Sequence, residues 1–264
     1  MKTRAALKTE VKQLFKGRWK DAILLCIVVS LLSIFSVAAN YTDQATSGHT
    51  SITSSTDNIQ QGASQALAAI PTISWALIAT VLGALAVGAV INFVFYCVVK
   101  LFMVGTMYSM LDWVRNPSRE IHPVSDSTVG FTRPYAWPTV GLVVLQAIFL
   151  TLWSLLLIVP GIIKAFAYSQ TYFVYKDLVA ATPAGQPRPK LTLAITKSRQ
   201  LMRGHKMEYF VLQLSFIGWA ILCGITMGIG LLWLVPYRYG TFANYYQNLV
   251  DLDQANEAAA SMAA

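Results

Sequence analysis

Leu152-Trp153-Ser154-Leu155-Leu156-Leu157-Ile158-Val159-Pro160-Gly161-Ile162-Ile163-Lys164 is an apolar run interrupted by one Pro-Gly pair. Proline lacks the N–H that a helix interior needs, and glycine leaves helical backbone angles readily, so the pair predicts a chain reversal. Apolar sequence runs from Trp137 to Val159 before it and from Ile162 to Tyr175 after it. These flanks read as two membrane helices folded back on each other, the second one short. A weaker echo, Leu231-Leu232-Trp233-Leu234-Val235-Pro236-Tyr237, lies near the C-terminus.

Composition agrees. Of 264 residues, 55% are hydrophobic and only 12% charged, against about 25% charged in soluble chains. The net charge of +8 would suggest nucleic acid in a soluble protein. Here the basic residues cluster at the ends of apolar runs, as the positive-inside rule expects, and no nucleic-acid reader motif is present. Cys26, Cys97 and Cys223 each sit inside an apolar run, with no C-x-x-C, and read as small hydrophobes.

Taken in order, residues 1–20 carry seven Lys/Arg with Leu7, Val11, Leu14 and Phe15 at helical spacing. They predict a basic amphipathic helix lying on the inner leaflet, anchored by Trp19. Spans are expected at about 22–39, 72–99, 137–159, 162–175, 207–225 and 231–249. Val37-Ala38-Ala39 has the small residues of a signal cleavage site, but the first apolar run exceeds an ordinary signal core, which favours an uncleaved helix. Residues 40–71 hold no Lys or Arg and read as an external loop. Gly83 and Gly88 with Ala79 and Ala84 give span two a small-residue face suited to close helix packing. Gly224, Gly228 and Gly230 predict the turn between spans five and six, with Pro236 just beyond it. The expected architecture is all-α: one polytopic membrane domain over 1–250, six helices in hairpin units, basic interfacial helices, and a flexible tail over 251–264. Both termini are expected in the cytoplasm.

Self-similarity adds a repeat. Leu14-Phe15-Lys16-Gly17 precedes span one and Leu201-Met202-Arg203-Gly204 precedes span five; Val159-Pro160…Phe166-Ala167 matches Val235-Pro236…Phe242-Ala243 in spacing. Either hairpin units recur, some prefaced by a basic helix, or short apolar strings match by chance.

Motifs for chemistry are missing. His49, His122 and His205 have no metal-ligand spacing, no nucleophile elbow or P-loop occurs, and no Asp or Glu falls mid-span. Catalytic residues, metals and cofactors are therefore not expected. Asn92, Gln146, Gln170, Gln213 and Asn244 read as hydrogen-bonding links between helices. Lys164 and Arg238 each follow a Val-Pro pair at the external end of a returning span. Either they snorkel to the interface or they contact lipid phosphates or a partner.

Several stretches carry a family likeness: Leu152 to Lys164; Ser198…Leu201-Met202-Arg203-Gly204-His205-Lys206; Leu214-Ser215-Phe216-Ile217-Gly218-Trp219; and Trp233-Leu234-Val235-Pro236-Tyr237. They resemble the domain-of-unknown-function 975 family of bacterial integral membrane proteins, itself distantly similar to the membrane portion of glycerophosphoryl diester phosphodiesterases. The resemblance covers nearly the whole chain but not the Ser/Thr-rich loop after span one. It implies a multi-pass topology and no mechanism, and with no phosphodiesterase catalytic domain here that activity does not carry over.

The expectation is thus a non-enzymatic structural or accessory protein of the cell membrane, working at the lipid headgroup layer with anionic lipids as partners. Self-association is compatible with it. A small transporter or transporter subunit is the alternative, which the repeat favours and the apolar spans disfavour.

Overall fold

The computed structural model describes residues 2–47, 75–156, 158–183 and 185–263, with the backbone alone at 36–47, 76, 77, 156, 158 and 263. Most of the expected external loop, with His49, lies outside these residues. Every regular element described is helical: α1 (Arg4–Phe15), α2 (Trp19–Ser47), α3 (Trp75–Arg115), α4 (Pro123–Ser127) with a 3-10 turn after it, α5 (Ala136–Leu156), α6 (Ile158–Ala167), α7 (Thr171–Ala181), α8 (Leu191–Leu201), α9 (Lys206–Leu214), α10 (Ile217–Ile225) and α11 (Leu231–Ala263). Three stretches are helical, long and apolar enough to cross a membrane: Ile78–Arg115, Ala136–Leu155 and Lys206–Ile225.

Contacts divide the chain into residues 35–98 and the remainder. In the smaller unit nearly every side chain from Val81 to Val98 is exposed although the sequence is apolar. A methyl group added at Gly83 or Gly88 would meet nothing within 4 Å. The small-residue face expected to pack another helix has no partner among the described residues.

The larger unit sorts its apolar side chains by position along each helix. Trp113, Tyr108, Tyr175, Phe15 and Phe173 form a closed core, while Ile148, Leu152, Leu155, Val159, Ile162, Ile217, Trp219, Ile221, Leu222, Ile225 and Trp233 stand exposed. The exposed set occupies the far ends of two hairpins, α5–α6 and α10–α11. Burying a large apolar side chain contributes about 1.5–3 kcal/mol, so two bare hairpin tips beside a well-packed core call for a non-aqueous neighbour.

The first hairpin corrects the reading of Pro160-Gly161. α5 stops at Leu156 and α6 resumes at Ile158, so the reversal comes before the pair. Pro160 then lies in the first turn of α6, where a missing N–H breaks no helical bond. Gly161 serves contact instead: a Cβ there would lie 2.7 Å from Ser154 Oγ and 3.2 Å from its Cα. Farther from the tip Gln146 Nε2 donates to the Tyr168 carbonyl at 3.2 Å, keeping the arms antiparallel.

The second hairpin turns at Thr226–Gly230. Met227 and Gly228 take φ +50° and +90°, and Gly228 N–H donates to the Cys223 carbonyl at 2.7 Å. Gly230 admits Cys223 Sγ, which a Cβ would meet at 2.6 Å. Gly224 belongs to α10 and Pro236 lies inside α11, so neither makes the turn. Two expected spans are also subdivided. Residues 162–175 cross from α6 to α7 through Tyr168-Ser169-Gln170, and 207–225 are interrupted at Ser215-Phe216. α6 has 10 residues, about 15 Å at 1.5 Å per residue, half the hydrocarbon thickness.

One helix–glycine–helix unit occurs twice. Gly17 and Gly204, 187 residues apart, have φ +79° and +80°. The helices after them start at Trp19 and Lys206, the same offset. Arg18 N–H donates to the Phe15 carbonyl at 2.9 Å and His205 N–H to that of Met202 at 3.3 Å. Phe15 and Met202 are both fully buried. Glycine is required at each site because L side chains disfavour positive φ.

Candidate functional site

α1 forms because Thr3 Oγ1 caps it, accepting from Ala6 N–H at 3.3 Å, and because Leu7, Val11 and Phe15 make a single stripe. That stripe does not face lipid. It is buried against α11, so closely that a Cβ at Gly240 would fall 2.9 Å from Phe15 Cζ and from Val11 Cγ1. Polar ties continue the clamp. Asn244 Nδ2 donates to the Leu7 carbonyl at 3.1 Å and to Glu10 Oε2 at 2.9 Å. Lys2 pairs with Glu10 at 2.8 Å, and its backbone N–H donates to Asn248 Oδ1.

With its apolar face used internally, α1 turns lysines toward the α10–α11 hairpin. Lys8 Nζ donates to Ser215 Oγ at 2.7 Å and lies 4.2 Å over the Phe216 ring; Lys12 Nζ sits 5.7 Å over Tyr237. Between them and the hairpin lies a cavity of about 500 Å³ lined by Trp19, Trp219, Leu222 and Trp233 as well. Burial, reinforced by repulsion from Lys12 and Arg4, pushes the Lys8 pKa down. Neither Lys8 nor Lys12 has a carboxylate partner among the described residues. Two cations above an apolar, tryptophan-walled cavity suit an amphiphile with an anionic head.

The family model described as Protein of unknown function (DUF975) matches residues 1–182 and 155–253. The chain belongs to this family. No curated protein matches it, and neither does any solved structure. Nothing among these matches supports the likeness to phosphodiesterase membrane regions.

Lys164 and Arg238, the two cations singled out in the sequence, line different cavities. Arg238 lies 5.9 Å from the Tyr239 and Phe242 rings, in a cavity with Phe210 and Gln213. Lys164 Nζ stands 4.3 Å over Trp153 and shares a cavity with Arg199. The sequence expectation puts Lys164 at an external helix end and Arg199 in a cytoplasmic segment; one cavity is lined by both. Of the interhelical amides, Gln146 and Asn244 join helices, and Gln170 Nε2 donates to its neighbour Ser169 Oγ at 3.0 Å.

A charged lock escaped the sequence reading. Lys176, pairing with Asp112, also donates to the Tyr108 carbonyl at 2.7 Å. Arg119 reaches Asp112 and the buried Asp126 at 3.6 and 2.6 Å. Burial pushes the Lys176 pKa down, with Asp112 opposing. The signal was there: Asp112 and Arg115 sit one turn apart where a long apolar helix ends, and Lys176-Asp177 ends another.

Proposed function

We propose that the chain is a non-enzymatic, multi-pass protein of the bacterial cell membrane that holds anionic lipid at the headgroup layer through Lys8 and Lys12. One observation carries this: two lysines without carboxylate partners roof a tryptophan-walled cavity at the foot of an exposed apolar hairpin. Lysine heads above and tryptophans below is the order of groups across a membrane interface.

The N-terminal helix and the 176–206 segment share the cytoplasmic face in this reading, which follows from their positive charge, and the C-terminal helix joins them because α1 packs against it. α2 and α3 supply the crossings. The α5–α6 and α10–α11 hairpins enter and leave by that same face, instead of adding four further spans. The reading is supported by the common cavity of Lys164 and Arg199 and by the length of α6.

Alkaline carbonate should leave the full-length chain in the membrane pellet. Detergent-purified protein should retain anionic over zwitterionic phospholipid, and K8Q/K12Q should retain less. Release by carbonate, or unchanged retention in the variant, overturns the reading.

A further inference from the structure

A second cavity repeats the chemistry of the first on another hairpin. It measures about 370 Å³ and lies between the α5–α6 hairpin and α8. Its polar wall is made by Lys164, Arg199, Thr192 and Thr196, and its apolar wall includes Phe149 and Trp153. Thr192, Thr196 and Arg199 recur at positions four and three apart, one face of α8. Both threonines and Arg199 are exposed. Neither Lys164 nor Arg199 has a carboxylate partner among the described residues. Lys206 adds its positive field to that of Arg199 around the Lys164 ammonium. Two cations and two hydroxyls line a recess with no carboxylate on its wall among the described residues.

The repeat relates the two cavities. Counting from Gly17 and Gly204, Arg199 occupies in α8 the place that Lys12 occupies in α1. α1 packs against the returning helix of the second hairpin. α8 packs against α7, which continues the returning helix of the first. In both, a basic side chain of an amphipathic helix faces a tryptophan of an apolar hairpin.

We propose that this cavity is a second anion site, which binds the phosphate of a membrane lipid headgroup between Lys164 and Arg199. Arginine offers a planar fork and lysine a point charge, a pair suited to a phosphate diester. The threonine hydroxyls complete the donor set, and Trp153 with Leu152 sets the depth at which the acyl chains begin. A free phosphate would satisfy the cations but leave the apolar wall uncovered. This rests on the membrane reading above, because Leu152 on the cavity wall and Val159 and Ile162 on the same hairpin are exposed.

The test is native mass spectrometry of the full-length protein, reconstituted with phosphatidylglycerol and released from detergent. Wild type should retain two lipids per chain, K164Q/R199Q one, and K8Q/K12Q one. K164R/R199K should retain two, and unchanged melting temperatures should show that the variants fold. Excess inorganic phosphate should leave both lipids in place. If K164Q/R199Q keeps the wild-type number while K8Q/K12Q loses one, the second site is overturned and the first stands. Should neither variant lose lipid, both fall. Displacement of the Lys164/Arg199 lipid by inorganic phosphate would assign the cavity to the free anion and overturn the lipid assignment.

Discussion

Arg115 grips Asp177 through two parallel hydrogen bonds of 2.7 and 2.8 Å, joining the end of α3 to α7 across 62 positions of sequence. Tyr246 O–H donates to the same carboxylate at 2.7 Å, and Arg115 Nε donates to Gln247 Oε1 at 2.7 Å. One carboxylate thus binds three helices. Arg115→Lys removes the fork while keeping the charge. It should lower stability by up to about 1.5–3 kcal/mol, the range for hydrogen bonds to charged groups. Thermal unfolding in detergent checks this; a melting temperature equal to wild type would show that Tyr246 alone suffices.

Gly240 sets how near α1 lies to α11. Enlarging it forces Phe15 and Val11 outward, and overpacking of this kind costs about 1–3 kcal/mol. Gly240→Leu should release α1 and open its lysines to trypsin, with Gly240→Ala intermediate. Limited proteolysis of residues 1–20, read by mass, gives the result. Cleavage at the wild-type rate would mean that the polar ties of Asn244 and Asn248 hold α1 without its apolar stripe.

Glu10 makes that docking sensitive to pH. Burial pushes its carboxyl pKa up, but hydrogen bonds from Lys2 and Asn244 outweigh this and draw it down. A carboxyl with a lowered folded pKa adds stability above its ordinary range, and loses it as pH falls through the folded value. Glu10 is partly exposed, so the contribution stays below about 1 kcal/mol. Glu10→Gln should melt slightly earlier than wild type at neutral pH, and the gap should close as the carboxylate range is crossed. A gap that persists under acid would trace the effect to shape.

The depth of the hairpins is open to labelling. In a background lacking Cys26, Cys97 and Cys223, an impermeant maleimide applied outside should modify a cysteine at Ser55 and miss one at Arg188. It should also miss one at Met227, which the proposed topology keeps inside the bilayer. Six full crossings would expose Met227 externally, so its labelling from outside would restore them.

The sequence disclosed α1 well, because the stripe of Leu7, Val11 and Phe15 has only one helical solution. It could not disclose what covers that stripe. An apolar face looks the same whether lipid or Gly240 lies against it, and that choice depends on contacts more than 200 residues away. The Pro160-Gly161 break was legible to within a few residues, while the reason for Gly161 needed Ser154 beside it. Lys8 and Lys12 were visible as a basic face with Trp19 beside it, but Trp219 and Trp233 come from the far end of the chain. The charged lock stayed hidden for a similar reason. Asp112 and Lys176 each look like the ordinary polar end of an apolar run until α3 and α7 are set side by side.

The shared cavity of Lys164 and Arg199 has a mechanical meaning. In the proposed topology, two hairpins that enter and leave by one face add area to a single leaflet. The opposite leaflet gains nothing from them. A flat bilayer around such a protein carries an area mismatch, which is relieved where the wedged leaflet is convex. Chains reconstituted with that face outward should therefore gather on narrow tubules drawn from giant vesicles and thin out on the parent sphere.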